Sequence, residues 1–417
     1  GISWRPIPAS TIVVRAGYGI YDDTSVYQTT VLQLAQQAPL STSLSVQNST
    51  DCPLTLKDGF VPCSKISSTT FAVDPNFRVG YAQTWQASIQ RDLPGALQMT
   101  ISYLGVKGTR GVQQFLPNTY PIGATMSPCR DCLAGFVYQA SGGDSTRQAG
   151  QVQLRRRLRN GFTASLLYTF SKSIDDDAML GGQGHVLSAN QSAAPPSSGQ
   201  NQGSGQSSGT SATTTQSASS TTPAIAQNWL NLHAERSLSS FDQRHLLNLQ
   251  AQYTTGEGLG GGTLMSGWRG RVLKDWTIVG TSVIGTGLPQ TPIYLAAVPG
   301  TGYTGTIRPD LTGSPISLNH GNQHLNPAAF SAPLPGQWGV AGRNSITGPS
   351  QFSLDTSILR TFRPNGRFFL DAKVSATNML NHPVFTGWNT TVNSTQFGLP
   401  LTANAMRSLE TSLRLRF

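Results

Sequence analysis

Apolar and polar residues alternate strictly in several segments of this 417-residue chain. In residues 84–90, Trp, Ala and Ile occupy every second position, and Thr, Gln or Ser fill the positions between them. The pattern resumes in residues 97–103, after the turn Leu93-Pro94-Gly95. A two-residue period is that of a β-strand with two chemically different faces. These segments therefore predict a hairpin with one apolar face and one uncharged polar face.

The same alternation recurs along the chain and predicts about ten to twelve strands. We place them near residues 11–22, 26–34 (the weakest), 81–91, 96–106, 147–158, 162–173, 243–254, 273–285, 351–362, 367–378 and 407–417.

The connections between these segments differ in length. The short ones are turns at residues 93–95, 159–161 and 364–366. The long ones cover residues 24–78, 108–145, 175–240 and 288–349. Strands of about ten alternating residues, with short turns at one end and long loops at the other, are typical of a transmembrane β-barrel. Soluble β-sandwiches also alternate and stay an alternative interpretation.

Composition favours the barrel. Charged residues make up 12% of the chain and hydrophobic residues 37%, so the chain is polar without being highly charged. No run of 18 apolar residues occurs, which excludes a membrane-spanning helix. We therefore predict an all-β fold, an antiparallel transmembrane β-barrel with long extracellular loops.

The net charge of +10 does not indicate nucleic-acid binding. The longest basic block is Arg155-Arg156-Arg157, and no nucleic-acid-binding motif accompanies it. Contact with anionic lipid or lipopolysaccharide explains the same excess. We expect outer-membrane lipid as a partner and no nucleic acid.

The alternation also assigns faces. Because the lumen of a barrel accepts amides and hydroxyls, the apolar members of each strand should face lipid and their neighbours the lumen. The predicted lipid-facing residues are Trp85, Ile89, Leu97, Ile101, Leu166, Tyr168, Leu249, Leu370, Val374 and Leu413.

Residues 188–223 consist mainly of Ser, Gly, Gln, Thr and Ala. Such a segment has too few apolar groups to offset its ordering entropy, so we predict a flexible surface loop.

Four cysteines form two local pairs, Cys52 with Cys63 and Cys129 with Cys132. In a chain with long loops outside the cytosol, such pairs favour disulfides, although spacing alone does not fix their connectivity. Cys129 and Cys132 have redox or zinc spacing, but no second such motif and no histidine partner accompany them. We predict disulfides Cys52–Cys63 and Cys129–Cys132.

No sequence pattern indicates catalysis. The chain contains no H-E-x-x-H, P-loop or G-x-S-x-G sequence, so we expect no catalytic, cofactor-binding or metal-binding residues. Asp175-Asp176-Asp177 is the one cluster that could help to bind Ca²⁺. We interpret it as a solvated acidic loop end.

Several segments resemble Oar-like TonB-dependent receptor barrels. They are residues 15–22 (RAGYGIYD), 167–176 (LYTFSKSIDD), 326–330 (NPAAF), 339–349 (GVAGRNSITGP) and 378–385 (NMLNHPVF). The resemblance implies that residues 1–417 form the C-terminal part of a Gram-negative outer-membrane barrel. It also implies a plug and a TonB-contacting segment upstream of them.

The end of the chain carries a further resemblance. Leu413, Leu415 and the terminal Phe417 resemble the signal by which barrels are recognised for assembly. Receptors of the resembled type close with about 22 strands around a plug. We therefore expect the strand near 11–22 to be paired by an upstream portion or by a partner chain, because open edges are not tolerated in hydrocarbon. A small barrel closed by this chain alone is the alternative.

Two functions stay open at this point. The first is the barrel portion of an outer-membrane receptor or transporter that binds or imports a ligand. The second is a structural β-barrel subunit or surface scaffold in an outer-membrane assembly.

Overall fold

The computed structural model describes residues 1–24, 26–35, 44–45, 67–68, 70–117, 119–121, 123–124, 136–176, 225–256, 268, 272–296, 306–318, 323–365 and 368–416.

One antiparallel sheet dominates the fold. Eleven of its strands pair in chain order, each with the strand before and after it. They are β1 (Ile2–Trp4), β2 (Val13–Asp22), β3 (Tyr81–Leu93), β4 (Leu97–Phe115), β5 (Phe136–Arg159), β6 (Phe162–Asp175), β7 (His245–Thr254), β8 (Trp276–Gly285), β9 (Gln351–Asn365), β10 (Phe368–Thr377) and β11 (Ser408–Arg416).

Further short strands join the main sheet or pair with one another in the loops. Three join the main sheet: Thr70–Val73 beside β5, Ile225–Ala226 beside β4 and Ser237–Leu238 beside β6. The others pair among themselves: Leu44–Ser45 with Ser67–Ser68, Pro289–Gln290 with Ile346–Thr347, Tyr294–Leu295 with Thr306–Ile307, Asp310–Leu311 with Phe330–Ser331, and Phe385–Trp388 with Pro400–Ala403.

Helix is rare in the described residues. The α-helix α1 spans Val26–Ala35, and 3₁₀ turns span Leu232–Glu235 and Pro327–Ala329. None of the helices found there is long and apolar enough to cross a membrane.

The predicted antiparallel all-β fold is confirmed, and ten predicted strands coincide with β2–β11. The weak strand predicted at 26–34 is wrong, because this segment forms α1. Within α1 the backbone N–H and carbonyl groups bond to one another, so the segment needs no strand partner.

The connection predicted at 108–145 is also partly wrong. β4 continues to Phe115 and β5 starts at Phe136, so both strands extend far beyond the alternating segments. Gly-rich and polar residues in these extensions hide the two-residue period. They pair with each other and with short added strands, which supply backbone partners that the local sequence does not reveal.

The register produces two continuous faces. Directly opposed residues on successive strands form an apolar row across β2–β9: Val14, Ile89, Ile101, Val152, Tyr168, Leu247, Ile284 and Phe352. The neighbouring positions form a polar row across β2–β6: Arg15, Ser88, Ser102, Gln151 and Thr169. We call these sides of the sheet the apolar face and the polar face.

The sheet does not close into a barrel. In the part of the chain that the structure describes, β11 pairs with β10 alone and β1 pairs with β2 alone. The short β1 covers only Val14–Ala16 of β2, which leaves the rest of that edge without a strand partner there.

Candidate functional site

Polar side chains on the polar face bond to one another across the strands. Ser102 Oγ donates to Gln151 Oε1 at 3.4 Å, and Gln151 Nε2 donates to Thr169 Oγ1 at 3.3 Å. Near the C-terminus, Asp371 Oδ1 accepts a hydrogen bond from Arg416 Nη2 at 2.9 Å. Hydroxyl, amide and carboxylate groups can also form hydrogen bonds with water or with a polar ligand. The polar face is therefore the first part of the candidate site.

The second part is a loop assembly, which we define as the described residues of 225–244, 286–350 and 378–407. Trp388 Nε1 donates to the carbonyl oxygen of Thr347 at 3.2 Å and links the β8–β9 and β10–β11 connections. The buried apolar core of the assembly lies between the same connections. It contains Leu325, Ala329, Phe330, Ala341, Ile346, Trp388 and Phe397.

The segment 326–330 has a local structural role in this assembly. Asn326 Oδ1 accepts a hydrogen bond from the Ala328 N–H at 3.1 Å and caps the 3₁₀ turn Pro327–Ala329. Its Nδ2 donates to the carbonyl oxygen of Pro315 at 2.9 Å. Ala329 and Phe330, at the end of this turn, lie buried in the core.

Arg343 connects the loop assembly to the sheet. Its guanidinium forms a buried ion pair with Asp175 at the end of β6 and donates to the Asp175 carbonyl oxygen at 2.7 Å. Its Nε donates to the carbonyl oxygen of Glu235 at 3.0 Å. One side chain therefore joins three segments that are far apart in the sequence.

A second buried ion pair lies in the same assembly. Arg308 Nη1 bonds to Glu235 Oε2 at 2.7 Å, and both side chains are at least 90% buried. The other carboxylate oxygen of Glu235 accepts a hydrogen bond from the Gln227 N–H at 3.0 Å. Buried charges persist when they are paired and hydrogen-bonded, as these are.

Asn344 adds a third link. Its Nδ2 donates to the carbonyl oxygen of Leu238 at 2.7 Å, and its Oδ1 accepts from Thr291 Oγ1 at 3.0 Å. The residue has φ +55°, a left-handed conformation that Asn adopts more readily than most residues. Segment 339–349 thus supplies two of the side chains, Arg343 and Asn344, that hold the β8–β9 connection in place.

Asp242 ties residues 225–244 to β6. Its Oδ1 accepts a hydrogen bond from the Ser173 N–H at 2.5 Å. Burial raises the pKa of Asp242 above its ordinary value, and the hydrogen bond from Ser173 offsets only part of this rise.

Asp176 makes a similar contact at the start of the β6–β7 connection. Its Oδ1 accepts a hydrogen bond from the Asp144 N–H at 2.5 Å. Burial and the nearby Asp144 charge raise the pKa of Asp176. Lys107 Nζ lies 2.8 Å from Asp144 Oδ1 and partly balances this charge.

The interpretation of residues 175–177 as a solvated acidic loop end is wrong for Asp175. Its side chain is fully buried and paired with Arg343. Asp177 lies outside the described residues. Nowhere in the described ranges do three or more His, Cys, Asp or Glu side chains come together as a metal site.

The register puts all ten predicted lipid-facing residues on the apolar face. Ile89 opposes Ile101, Leu166 opposes Leu249, and Leu370 opposes Leu415. That this face contacts lipid stays a prediction. The ten are Trp85, Ile89, Leu97, Ile101, Leu166, Tyr168, Leu249, Leu370, Val374 and Leu413.

Several predictions fall outside the described residues. They concern Cys52, Cys63, Cys129 and Cys132, the low-complexity segment 188–223, and the terminal Phe417. The disulfides and the flexible loop stay predictions. Leu413 and Leu415, the other members of the proposed assembly signal, lie on the apolar face of β11.

Neither buried ion pair was predicted from the sequence. Asp175 and Arg343 both lie in segments that we singled out for their family resemblance, and this was a usable signal. Glu235 and Arg308 lie 73 residues apart in segments without such a signal.

Comparison with known proteins identifies the family. The family described as "Outer membrane beta barrel domain" matches residues 1–209 and 206–410. The chain belongs to this family. It is therefore a protein of the Gram-negative outer membrane. A search of curated proteins found no match.

The chain is also similar to solved structures of outer-membrane proteins. The outer membrane transporter YddB from Escherichia coli is 8% identical, with a TM-score of 0.51 over 99% of this chain and 39% of YddB. Pseudomonas aeruginosa FpvA bound to pyoverdines gives 10% identity and a TM-score of 0.42 over 99% of this chain and 32% of FpvA. The ferric-catecholate import receptor Fiu of E. coli gives 9% identity and a TM-score of 0.40 over 97% of this chain and 33% of Fiu. The chain thus spans less than two fifths of the length of these outer-membrane proteins.

Proposed function

We propose that residues 1–417 form the barrel portion of a TonB-dependent-type outer-membrane receptor of the Oar-like kind. The loop assembly and the polar face would bind or import its ligand. The supporting observation is that the buried Arg343–Asp175 ion pair fastens the loop assembly to the end of β6. The buried Arg308–Glu235 pair joins two segments within the assembly. A receptor needs such rigid positioning of loops over a polar lumen.

We propose no catalytic role for this chain. The apolar face meets outer-membrane lipid, and the lumen is completed by strands and a plug outside residues 1–417. TonB would act through that other part of the receptor. The fold resemblance to the transporter YddB supports this arrangement.

Nutrient depletion tests the proposal even though the ligand is unidentified. A deletion strain, the strain complemented with the full-length gene product, and the complemented strain without TonB would be compared by mass spectrometry of their media. We expect at least one compound to be depleted only when both proteins are present. Equal depletion in all three strains would contradict a transport role.

A structural subunit in an outer-membrane assembly is the second candidate. The open sheet favours it, because β11 has a strand partner on one side only within the described residues. In that case the deletion would leave depletion unchanged and would alter the composition of envelope complexes isolated in mild detergent.

A further inference from the structure

The last two strands of the sheet are short. β10 has 10 residues and β11 has 9, whereas β4 and β5 have 19 and 24. A transmembrane β-strand needs about 9–11 residues. β10 and β11 are therefore only just long enough to cross the hydrocarbon core, so a connection between them starts close to the edge of that core.

This connection begins with a tightly bonded turn, Asn378–His382. The Asn381 N–H donates to the Asn378 carbonyl oxygen at 2.8 Å, and the His382 N–H donates to Asn378 Oδ1 at 3.0 Å. Asn378 Nδ2 donates to the carbonyl oxygens of His382 and Ala405, at 3.0 and 3.2 Å. Because these polar groups find partners within the chain, they do not depend on water.

The turn presents apolar side chains beside the apolar face. Its Met379 N–H donates to the carbonyl oxygen of Leu354 at 2.8 Å, and the His382 ring lies 6.2 Å from the ring of Phe352. Phe352 belongs to the apolar row of the sheet. Leu380, at the tip of the turn, is 61% exposed.

The end of the connection returns to the same place. The Arg407 N–H donates to Asn381 Oδ1 at 3.0 Å, which holds the neighbouring Met406 beside the turn. Leu409 follows on the apolar face, opposite Ala376. We call the four exposed apolar residues of this region the collar: Met379, Leu380, Met406 and Leu409.

We propose that the collar inserts into the outer leaflet of the membrane and contacts lipid acyl chains. It continues the apolar face at the strand ends. The Asn378 side chain and the N–H groups of Met379, Asn381 and His382 find their hydrogen-bond partners within the chain. The inference rests on the lipid-facing role of the apolar face given under the proposed function. It adds that part of the extracellular loop region is a membrane contact.

Spin labelling tests the collar. A nitroxide would be attached to Leu380→Cys in the full-length gene product, with the native cysteines replaced by serine, in liposomes containing lipopolysaccharide. Ile101→Cys serves as the apolar-face control. Val340→Cys, also at an exposed apolar residue, serves as the loop control, because it lies beside Ala341 in the core of the loop assembly.

Accessibility to oxygen, which partitions into lipid, would be compared with accessibility to a water-soluble nickel chelate. We expect the oxygen-to-nickel ratio at position 380 to be close to that at position 101 and well above that at position 340. A ratio at 380 equal to that at 340, with a lipid-like ratio at 101, would overturn the collar and leave the proposed function intact.

Two other results would also overturn it. Protection of position 380 from both reagents would show that another polypeptide covers the collar. A water-like ratio at position 101 would overturn the collar together with the lipid-facing role of the apolar face.

Discussion

Arg343 holds three segments of the chain together through one guanidinium group. Arg343→Met keeps the apolar stem but leaves the Asp175 carboxylate buried without its partner. Loss of one partner of a buried ion pair costs about 3–5 kcal/mol. We expect a decrease of this size in the free energy of unfolding, measured by urea titration of the full-length product in liposomes.

An exposed ion pair provides the control. Arg157 pairs with Asp92 at 3.2 Å, and both side chains are partly exposed. Arg157→Met should cost only about 0–1 kcal/mol. Equal losses for the two variants would contradict the special role of Arg343.

Asp242 makes stability depend on pH. Because burial raises its pKa in the folded chain, the folded state holds this proton more tightly than the unfolded state. The resulting stabilisation is complete below the unfolded pKa, near 3.8, and is lost as the pH rises through the raised folded pKa. Asp242→Asn keeps an acceptor for the Ser173 N–H but cannot ionise. We expect a melting temperature that falls less than that of the parent between acid and neutral pH.

Asp176 provides the matched comparison, because its pKa is raised for the same main reason. Asp176→Asn should remove a separate part of the pH dependence of the melting temperature. The double variant should remove the contributions of both Asp176 and Asp242. If the melting temperature of Asp242→Asn varies with pH just as that of the parent does, Asp242 does not contribute to the pH dependence of stability.

At the scale of the strand pair, Trp85 packs over Gly105 on the neighbouring strand. A Cβ atom at position 105 would lie 2.2 Å from the indole ring. Gly105→Ala should displace the ring and lower the free energy of unfolding by about 1–3 kcal/mol, because the new methyl group overpacks this site. Unfolding and tryptophan fluorescence would measure both effects.

Gly150 is the control, since it is also in a strand and a Cβ atom there would meet nothing within 4 Å. Gly150→Ala should change stability by about 0.5 kcal/mol or less. A similar loss at the two positions would indicate a general effect of glycine replacement.

A charge introduced on the two faces of β4 should reduce stability by different amounts. Ile101→Arg places a cation on the apolar face and should cost about 2–4 kcal/mol if the residue lies near the membrane midplane. Ser102→Arg places the same side chain on the polar face and should cost much less. Comparable folding yields and stabilities for both variants would argue against the assignment of the faces.

Local patterns explain which elements were predictable. The period of two in segments such as 84–90 is set by neighbouring residues, so the sequence reveals the strand and its faces. The extensions of β4 and β5 lack this period, and their pairing with Ile225–Ala226 and Thr70–Val73 depends on distant segments. The Arg343–Asp175 pair joins residues 168 positions apart, which no local pattern can show.

At the scale of the whole molecule, β11 has one edge without a strand partner among the described residues. In a membrane this edge requires a partner, because unpaired backbone groups are not tolerated in hydrocarbon. A photo-crosslinker at Thr411 in the full-length product should capture a strand from outside residues 1–417. A crosslinker at Val374 should capture β9 or β11, which flank it in the sheet. Capture of β2 from Thr411 would instead show a small barrel closed by this chain.

The unequal strand lengths also determine which parts of the molecule beyond the apolar row are built from strands. From Tyr103 on the apolar face to its end at Phe115, β4 continues for roughly 40 Å. β10 and β11 stop after 10 and 9 residues, and the connection between them joins the buried core of the loop assembly through Trp388 and Phe397. On one side of the molecule, strands therefore extend the sheet beyond the apolar row, whereas on the other side packed loops take the place of strands.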